Sequence, residues 1–313
     1  MRVIALEEHY TTSMLPVVGT MRRPDIGPKL EDLGAGRIAD MDSAGIDLQV
    51  LSPSSPGTHL QSPADAIATA RDANDQLADA VAAHPSRFAG FAVLPMPDPE
   101  AAATELERCV TTLGFKGAMV HGHVAGTFLD DPVFSPVFAS AESLGVPVYL
   151  HPTPPTPAVF DAYFSGLPEQ TAGVLAGAAW GWHAETGLHS LRLVVNGVFD
   201  RYPGLKVVIG HMGENIPFSL ARADSVLSPA TTHLKRRVAE YFHEHFWITT
   251  SAYFTLPPFQ CALSVFGIDR MLFSVDYPFS ENMAGRRFLD SVPLSPADRE
   301  KLAHGNAEDL LDL

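Results

Sequence analysis

Several short apolar runs of this chain end on residues that bind metals or move protons. Residues 3–6 lead into Glu7, Glu8 and His9, residues 146–150 into His151, residues 206–210 into His211, and residues 271–275 into Asp276. In a parallel barrel of alternating strands and helices, the carboxyl ends of all strands face one way, so residues far apart in sequence can share one site there. Further β-branched runs near 48–51, 88–94, 116–120 and 247–250 alternate with stretches of helical periodicity at 66–83, 99–113, 132–144, 186–199 and 257–266. The alternation predicts about eight strand–helix units, an α/β chain folded as a (β/α)8 TIM barrel. Helix starts are marked by Ser62 with Pro63 and Asp65, and by Ser295 with Pro296 and Asp298. With 313 residues, 46% of them hydrophobic, one such barrel accounts for residues 1–313 as a single domain, closed by a helix over 303–313.

Two segments break the rhythm. Residues 11–37 mix Pro, Gly and charge after the first strand, and residues 152–172 follow His151 with a proline-rich stretch. Loops after barrel strands border the active site, so both are expected to cover it. A formal charge of -15 repels phosphate backbones and anionic lipid, which argues against nucleic acid and membrane partners. Cys109 and Cys261 fall in helical segments, so no disulfide framework or thiolate cluster is expected. No signal-like or membrane-spanning run is evident, and a cytoplasmic protein is expected.

Glu7 and His9 lie two apart, so on an extended strand they point to one face and can reach a single cation. With His151 and Asp276 they make two imidazoles and two carboxylates, a set suited to one divalent ion, Zn2+ or Mn2+, with room for substrate or water. His211 and Glu214 lie three apart at a strand-to-helix turn, where a carboxylate can hold an imidazole in one tautomer; the lesser alternative is that Glu214 merely favours the positive end of the next helix, and both roles can coexist. His121 and His123 end the fourth run as ligand contacts or as polar rim filling. His59, His84, His189, His233, His243, His245 and His304 read as surface or packing residues. Trp180, Trp182 and the rings at 160–164 could sandwich a planar acid or pack the core, and no catalytic role is assigned to them. Among the excluded classes, the phosphate-loop and dinucleotide fingerprints and the serine nucleophile elbow do not occur, so no organic cofactor is expected.

The motifs Ala5-Leu-Glu-Glu-His9, Leu150-His-Pro152, Gly210-His-Met-Gly-Glu214 and Asp276-Tyr-Pro278 resemble those of the nonoxidative aromatic acid decarboxylases of the amidohydrolase superfamily. The similarity runs over nearly the whole chain and includes residues 37–46, 73–78, 113–118 and 185–189. The resemblance implies a barrel of the metal-dependent hydrolase type with Glu7, His9, His151 and Asp276 as metal ligands. It also implies His211 and Glu214 beside the substrate, and Arg222 near it, often from a neighbouring subunit. Arg222 could instead form a surface ion pair with Asp224 or a nearby acid. His123 aligns with a variable position and is a candidate substrate contact. The superfamily's binuclear members use His-x-His and a modified Lys; here the motif is Glu-x-His and Lys116 begins its run, so one metal is expected.

The leading expectation is therefore a decarboxylase of an ortho-hydroxybenzoate, a small aromatic acid, with Asp276 as proton donor to the ring carbon and His211 with Glu214 serving a ring hydroxyl. The rivals are a metal-dependent hydrolase of a lactone or cyclic amide and a noncatalytic binding barrel. Ala- and Leu-rich helix faces, together with the resemblance, suggest a homodimer or homotetramer.

Overall fold

A strand buried on both faces needs a neighbour on each side and a helix behind it. The apolar runs satisfy this as parallel strands in a computed structural model that describes residues 1–16 and 25–313. Residues 17–24, part of the segment expected to cover the site, lie outside the described residues. The strands are β1 Ile4–Tyr10, β2 Leu48–Pro53, β3 Phe88–Gly90, β4 Ala92–Val93, β5 Ala118–His121, β6 Val148–His151, β7 Val207–Ile209, β8 Phe246–Thr249 and β9 Met271–Leu272. They pair in sequence order and in parallel, as β1-β2-β3 and as β4 through β9.

β3 and β4 are two pieces of the single run expected at 88–94. Phe91 donates its N–H to Leu51 and Ala92 donates to Gly117, so this one run serves β2 on one side and β5 on the other. Leu6 bridges Ser274 and donates its N–H to Phe273 at 3.1 Å, which joins the last strand to the first. Counting β3 and β4 together, the ring has the eight staves expected of the TIM barrel.

Ile4, Leu6, Val50, Phe91, Met119, Tyr149, Val208 and Leu272 form a buried cluster of strand residues that is continued by Ala307, Leu310 and Leu311 from the C-terminal helix Asn306–Leu311. Each fully buried Leu, Ile or Phe of that kind stabilises the fold by roughly 1.5–3 kcal/mol. The larger core packs the outer strand faces against the helices. Polar side chains are thereby left to the carboxyl ends of the strands.

Ser62 and Ser295 accept the backbone N–H of Asp65 and Asp298 at 3.3 and 3.1 Å and so cap their helices as expected. The 152–172 stretch is helical where loop was expected: Pro157 opens the helix Pro157–Phe164 and Pro168 precedes Glu169–Ala176. Proline at a helix start removes only an N–H that would have no partner there, so these prolines punctuate helices and do not forbid them. Cys109 and Cys261 lie in the helices Pro99–Thr111 and Leu256–Phe266. Among the described residues, no helix is long and apolar enough to cross a membrane.

Candidate active site

Glu7, His9, His151, His211 and Asp276 converge at the carboxyl end of the ring. Glu7 reaches this position by a route other than regular strand alternation. The β1–β2 register shifts between Ala5 and Glu8, and Glu7 has φ 59°, so a bulge turns its carboxylate inward. His211, Glu214 and Asp276 also sit at positive φ, 49°, 51° and 70°. Non-glycine residues held there cost roughly 1–3 kcal/mol each and cluster at functional sites. Gly210 is required beside them, since a Cβ would lie 2.9 Å from Glu7 Oε2.

His9 and His151 present the same nitrogen to the site. His9 donates Nδ1–H to the Pro53 carbonyl at 3.0 Å and His151 donates Nδ1–H to the Pro152 carbonyl at 2.7 Å, which leaves both Nε2 lone pairs facing inward. His9 Nε2 stands 3.2 Å from Asp276 Oδ1, and a lone pair facing a carboxylate at that distance needs a proton or a cation between them. Burial first, then the neighbouring His9 and His211, lower the His151 pKa to about 3, so its ring is neutral at ordinary pH. Asp276 is positioned by Glu8, whose carboxylate accepts the N–H of Val275 at 2.8 Å and of Tyr277 at 3.1 Å.

Glu7 is divided between two tasks. Its Oε2 accepts hydroxyl bonds from Tyr149, Ser251 and Thr249, the last at 3.3 Å. Its Oε1 lies 3.4 Å from His151 Nε2 and 3.6 Å from His211 Nε2, is fully buried, and has no hydrogen-bond partner among the described residues. One oxygen is anchored and the other is presented. Ligand atoms of Glu7, His9 and His151 lie within 4.8 Å of one another. An orphaned carboxylate oxygen, two inward imidazole lone pairs and a second carboxylate fit a divalent cation.

His211 faces Glu7 with Nε2 and donates Nδ1–H to Glu214 Oε1 at 2.6 Å. Burial opposes charge on this ring, yet the carboxylates of Glu214 and Glu7 outweigh it and hold the pKa well above the usual histidine range. Glu214 is also buried, but His211 and then His183 pull its carboxyl down to about 2. Its second oxygen takes the Nδ1–H of His183 at 2.7 Å. The alternative reading of Glu214 as a mere helix-end charge does not describe this geometry, because both oxygens are engaged by imidazoles.

A cavity of about 110 Å³ opens onto this group, walled by His9, His151, His211, Asp276, Trp182 and Phe279. Trp182 and Phe279 give this space aromatic walls, against which a planar ring can stack. Trp182, for which contact with a planar acid and core packing were both left open, lines this cavity, whereas Trp180 is exposed.

Two residues expected at the substrate do not line this cavity within one chain. Arg222 is exposed on the helix Ile216–Leu227 and is not a lining residue of the cavity; Asp224, its expected partner, pairs with Arg237. His123 is buried outside the cavity lining, accepting the Gly126 N–H at 3.1 Å and facing Glu185 at 3.5 Å. His121 is buried with its ring 5.0 Å from that of His151. His59, His189 and His245 are buried, and the other four noncatalytic histidines named above are partly or fully exposed.

Sequence reasoning missed His183, which sits in a helix with no strand-end signal beyond its neighbour Trp182. The hydroxyls on Glu7 were also missed, although Tyr149 and the run Thr249-Thr250-Ser251 stand beside strand ends.

The amidohydrolase family model matches residues 8–313. The chain belongs to the amidohydrolase family. Among similar proteins, the gamma-resorcylate decarboxylase of Polaromonas is 38% identical, over 99% of this chain and 98% of that one. The crystal structure of a dihydroxybenzoic acid decarboxylase from Polaromonas, with bound manganese and the inhibitor 2-nitroresorcinol, superposes with a TM-score of 0.93 at 38% identity, covering 100% of this chain and 97% of that one. That of a 5-carboxyvanillate decarboxylase from Sphingomonas paucimobilis does so with a TM-score of 0.92 at 32% identity, covering 100% and 99%. Within its family this amidohydrolase is a carboxy-lyase with a metal-binding site.

Proposed function

We propose that the carboxy-lyase removes carbon dioxide from a benzoate bearing a hydroxyl ortho to its carboxylate, with one divalent ion, manganese or zinc, and no organic cofactor. The observation that carries this reading is the pairing of an incomplete ligand set with a complete acid–base pair across an aromatic-walled cavity. The manganese in the Polaromonas relative supports the choice of ion. A divalent cation held by Glu7, His9, His151 and Asp276 would supply positive charge toward the carboxylate and the adjacent oxygen of the substrate.

The remaining chemistry belongs to the side chains. Trp182 and Phe279 wall the ring and limit water. His211, kept protonated by Glu214 and Glu7, donates toward the developing phenolate. His211 and His9 hold the Asp276 pKa below the usual carboxylate range against the effect of burial, so Asp276 is ionised before substrate enters and takes up the phenolic proton. It delivers that proton to the ring carbon that bears the carboxylate. The bond from that carbon to the carboxylate then breaks, its electron pair restores the aromatic ring, and carbon dioxide leaves.

Phe218, 90% exposed and four residues before Arg222 on one helix, supports a homodimer or homotetramer in which that face is covered. The test of function is incubation of the metal-loaded protein with hydroxybenzoates and with lactones, following carbon dioxide and acid release separately. Carbon dioxide from 2-hydroxylated benzoates alone is expected. Turnover of lactones, or equal turnover of 3-hydroxybenzoates, would overturn the reading.

A further inference from the structure

We propose that His183 is a positioning residue that ties the wall of the cavity to the acid–base pair, fixing with one ring both the indole of Trp182 and the carboxylate that orients His211. The inference deepens the decarboxylase reading and rests on it for its kinetic arm only.

His183 lies in the helix Gly181–Val195, directly after Trp182, and is 3% exposed. Its Nδ1 meets Glu214 Oε2 at 2.7 Å, while the other oxygen of the same carboxylate meets His211 Nδ1 at 2.6 Å. On the far side of the ring, Trp182 Nε1–H points at His183 Nε2 at 3.0 Å. Trp182 in turn lines the cavity with its ring 6.2 Å from that of His151. The chain of contacts therefore runs from the cavity wall through His183 and Glu214 to His211, whose ring is 4.6 Å from that of His183.

The polarity of these contacts selects one form of the ring. The Glu214 carboxylate can only accept, so Nδ1 carries the hydrogen; the indole N–H can only donate, so Nε2 offers its lone pair. The Ala178 carbonyl also stands 3.0 Å from Nε2, but it can be served only if that nitrogen is protonated, which would cost the bond from Trp182. A residue that merely fills space would need no donor on one side and acceptor on the other. His183, His211 and Glu214 also come close enough for a cation, yet both Glu214 oxygens already accept an N–H, so no ligand is wanting there.

Loss of the donor loosens Glu214 and His211 and lowers kcat; loss of the acceptor frees the indole and raises KM. The test compares His183→Ala, His183→Phe, His183→Gln, Trp182→Phe and the double variant His183→Ala/Trp182→Phe, with 2,6-dihydroxybenzoate as substrate and the ¹⁵N–¹H resonance of the Trp182 indole as a second readout. A Gln amide offers a donor at its nitrogen and an acceptor at its oxygen, one for each neighbour. His183→Ala and His183→Phe should lower kcat about 10- to 50-fold and raise KM, whereas His183→Gln should stay within about threefold of wild type. Trp182→Phe should raise KM about threefold alone and add nothing to His183→Ala, since both remove the same bond. Equal activity of the Phe and Gln variants, or multiplying effects in the double variant, would overturn the proposal. Should wild type fail on every hydroxybenzoate, the decarboxylase reading falls and the indole resonance still decides: it shifts in His183→Phe and holds in His183→Gln if His183 positions the indole, and an unmoved resonance in both overturns it.

Discussion

Glu7 and Glu214 flank the two nitrogens of one histidine, His211, and both are essentially inaccessible to water. They are nevertheless displaced in opposite directions. Burial dominates at Glu7 and raises its pKa, because the nearest donors to its anchored oxygen are neutral hydroxyls and its other oxygen has none. At Glu214 the same burial is outweighed by His211 and His183, which engage both oxygens and draw the pKa down to about 2. The contrast teaches that burial alone does not set the character of a buried acid; the count and charge of its donors do. Glu214 is a finished arrangement suited to holding a proton on a neighbour, and Glu7 is a site that wants a positive charge.

The comparison can be broken most forcefully on the Glu7 side. Asp276→Asn keeps the shape of the wall but removes the carboxylate that carries the proton, and kcat/KM should fall by about 10³-fold, within the ~10²–10⁴ range of a single acid–base group. Circular dichroism should show an unchanged barrel, because the residue sits at the rim and outside the buried clusters. More than about one per cent residual turnover would contradict its role.

On the other side, Glu214→Gln should lower kcat about 10²-fold with a smaller change in KM, since it unseats a donor that acts on developing charge. An equal rise in KM with kcat preserved would show that His211 only binds.

Stability sharpens the contrast. In metal-free protein Glu214→Gln should cost about 1–3 kcal/mol, as two imidazoles lose a charged acceptor, while Glu7→Gln should be neutral or stabilising because it removes a buried carboxylate whose burial outweighs its partners. The pH dependence has matching signs. A carboxyl held at about 2 when folded, against ~4.3 in the unfolded chain, contributes stability that is present above roughly pH 4 and is lost as the pH falls through about 2. The raised Glu7 acts oppositely, costing stability as the pH rises above its unfolded value. Thermal melts of both variants across pH 3–7 would fail this account if Glu7→Gln proved the less stable throughout.

The smallest effects should come from residues outside both walls. Arg222→Ala and His123→Ala should change kcat/KM by less than about threefold if the cavity is complete within one chain. A loss beyond about tenfold for Arg222→Ala would mean that the cavity is completed from outside the chain that contains it.

The ring of strands and the five convergent residues could be read from sequence because each stands at or just after the end of an apolar run, where direction is dictated by barrel topology. The position of Glu7 was legible but its cause was not. A two-residue spacing suggested a shared strand face, whereas a bulge at positive φ delivers the carboxylate. The hydroxyls that anchor it come from β6 and from residues 249 and 251, and their approach depends on closure of the ring, which no local pattern records. His183 escaped notice because a histidine within a helical repeat carries no directional information. Prolines at 152–172 suggested loop because their helix-starting role depends on which residue begins the helix.

The distinction between the two glutamates is tested most directly by the metal content of purified Glu7→Gln and Glu214→Gln, measured by elemental analysis after reconstitution with manganese and with zinc. Glu7→Gln should lose most of the metal that wild type retains, while Glu214→Gln should keep about one ion per chain and still turn over about 10²-fold more slowly. Full metal in Glu7→Gln, or loss of metal from Glu214→Gln, would contradict the assignment of the cation to the Glu7 side.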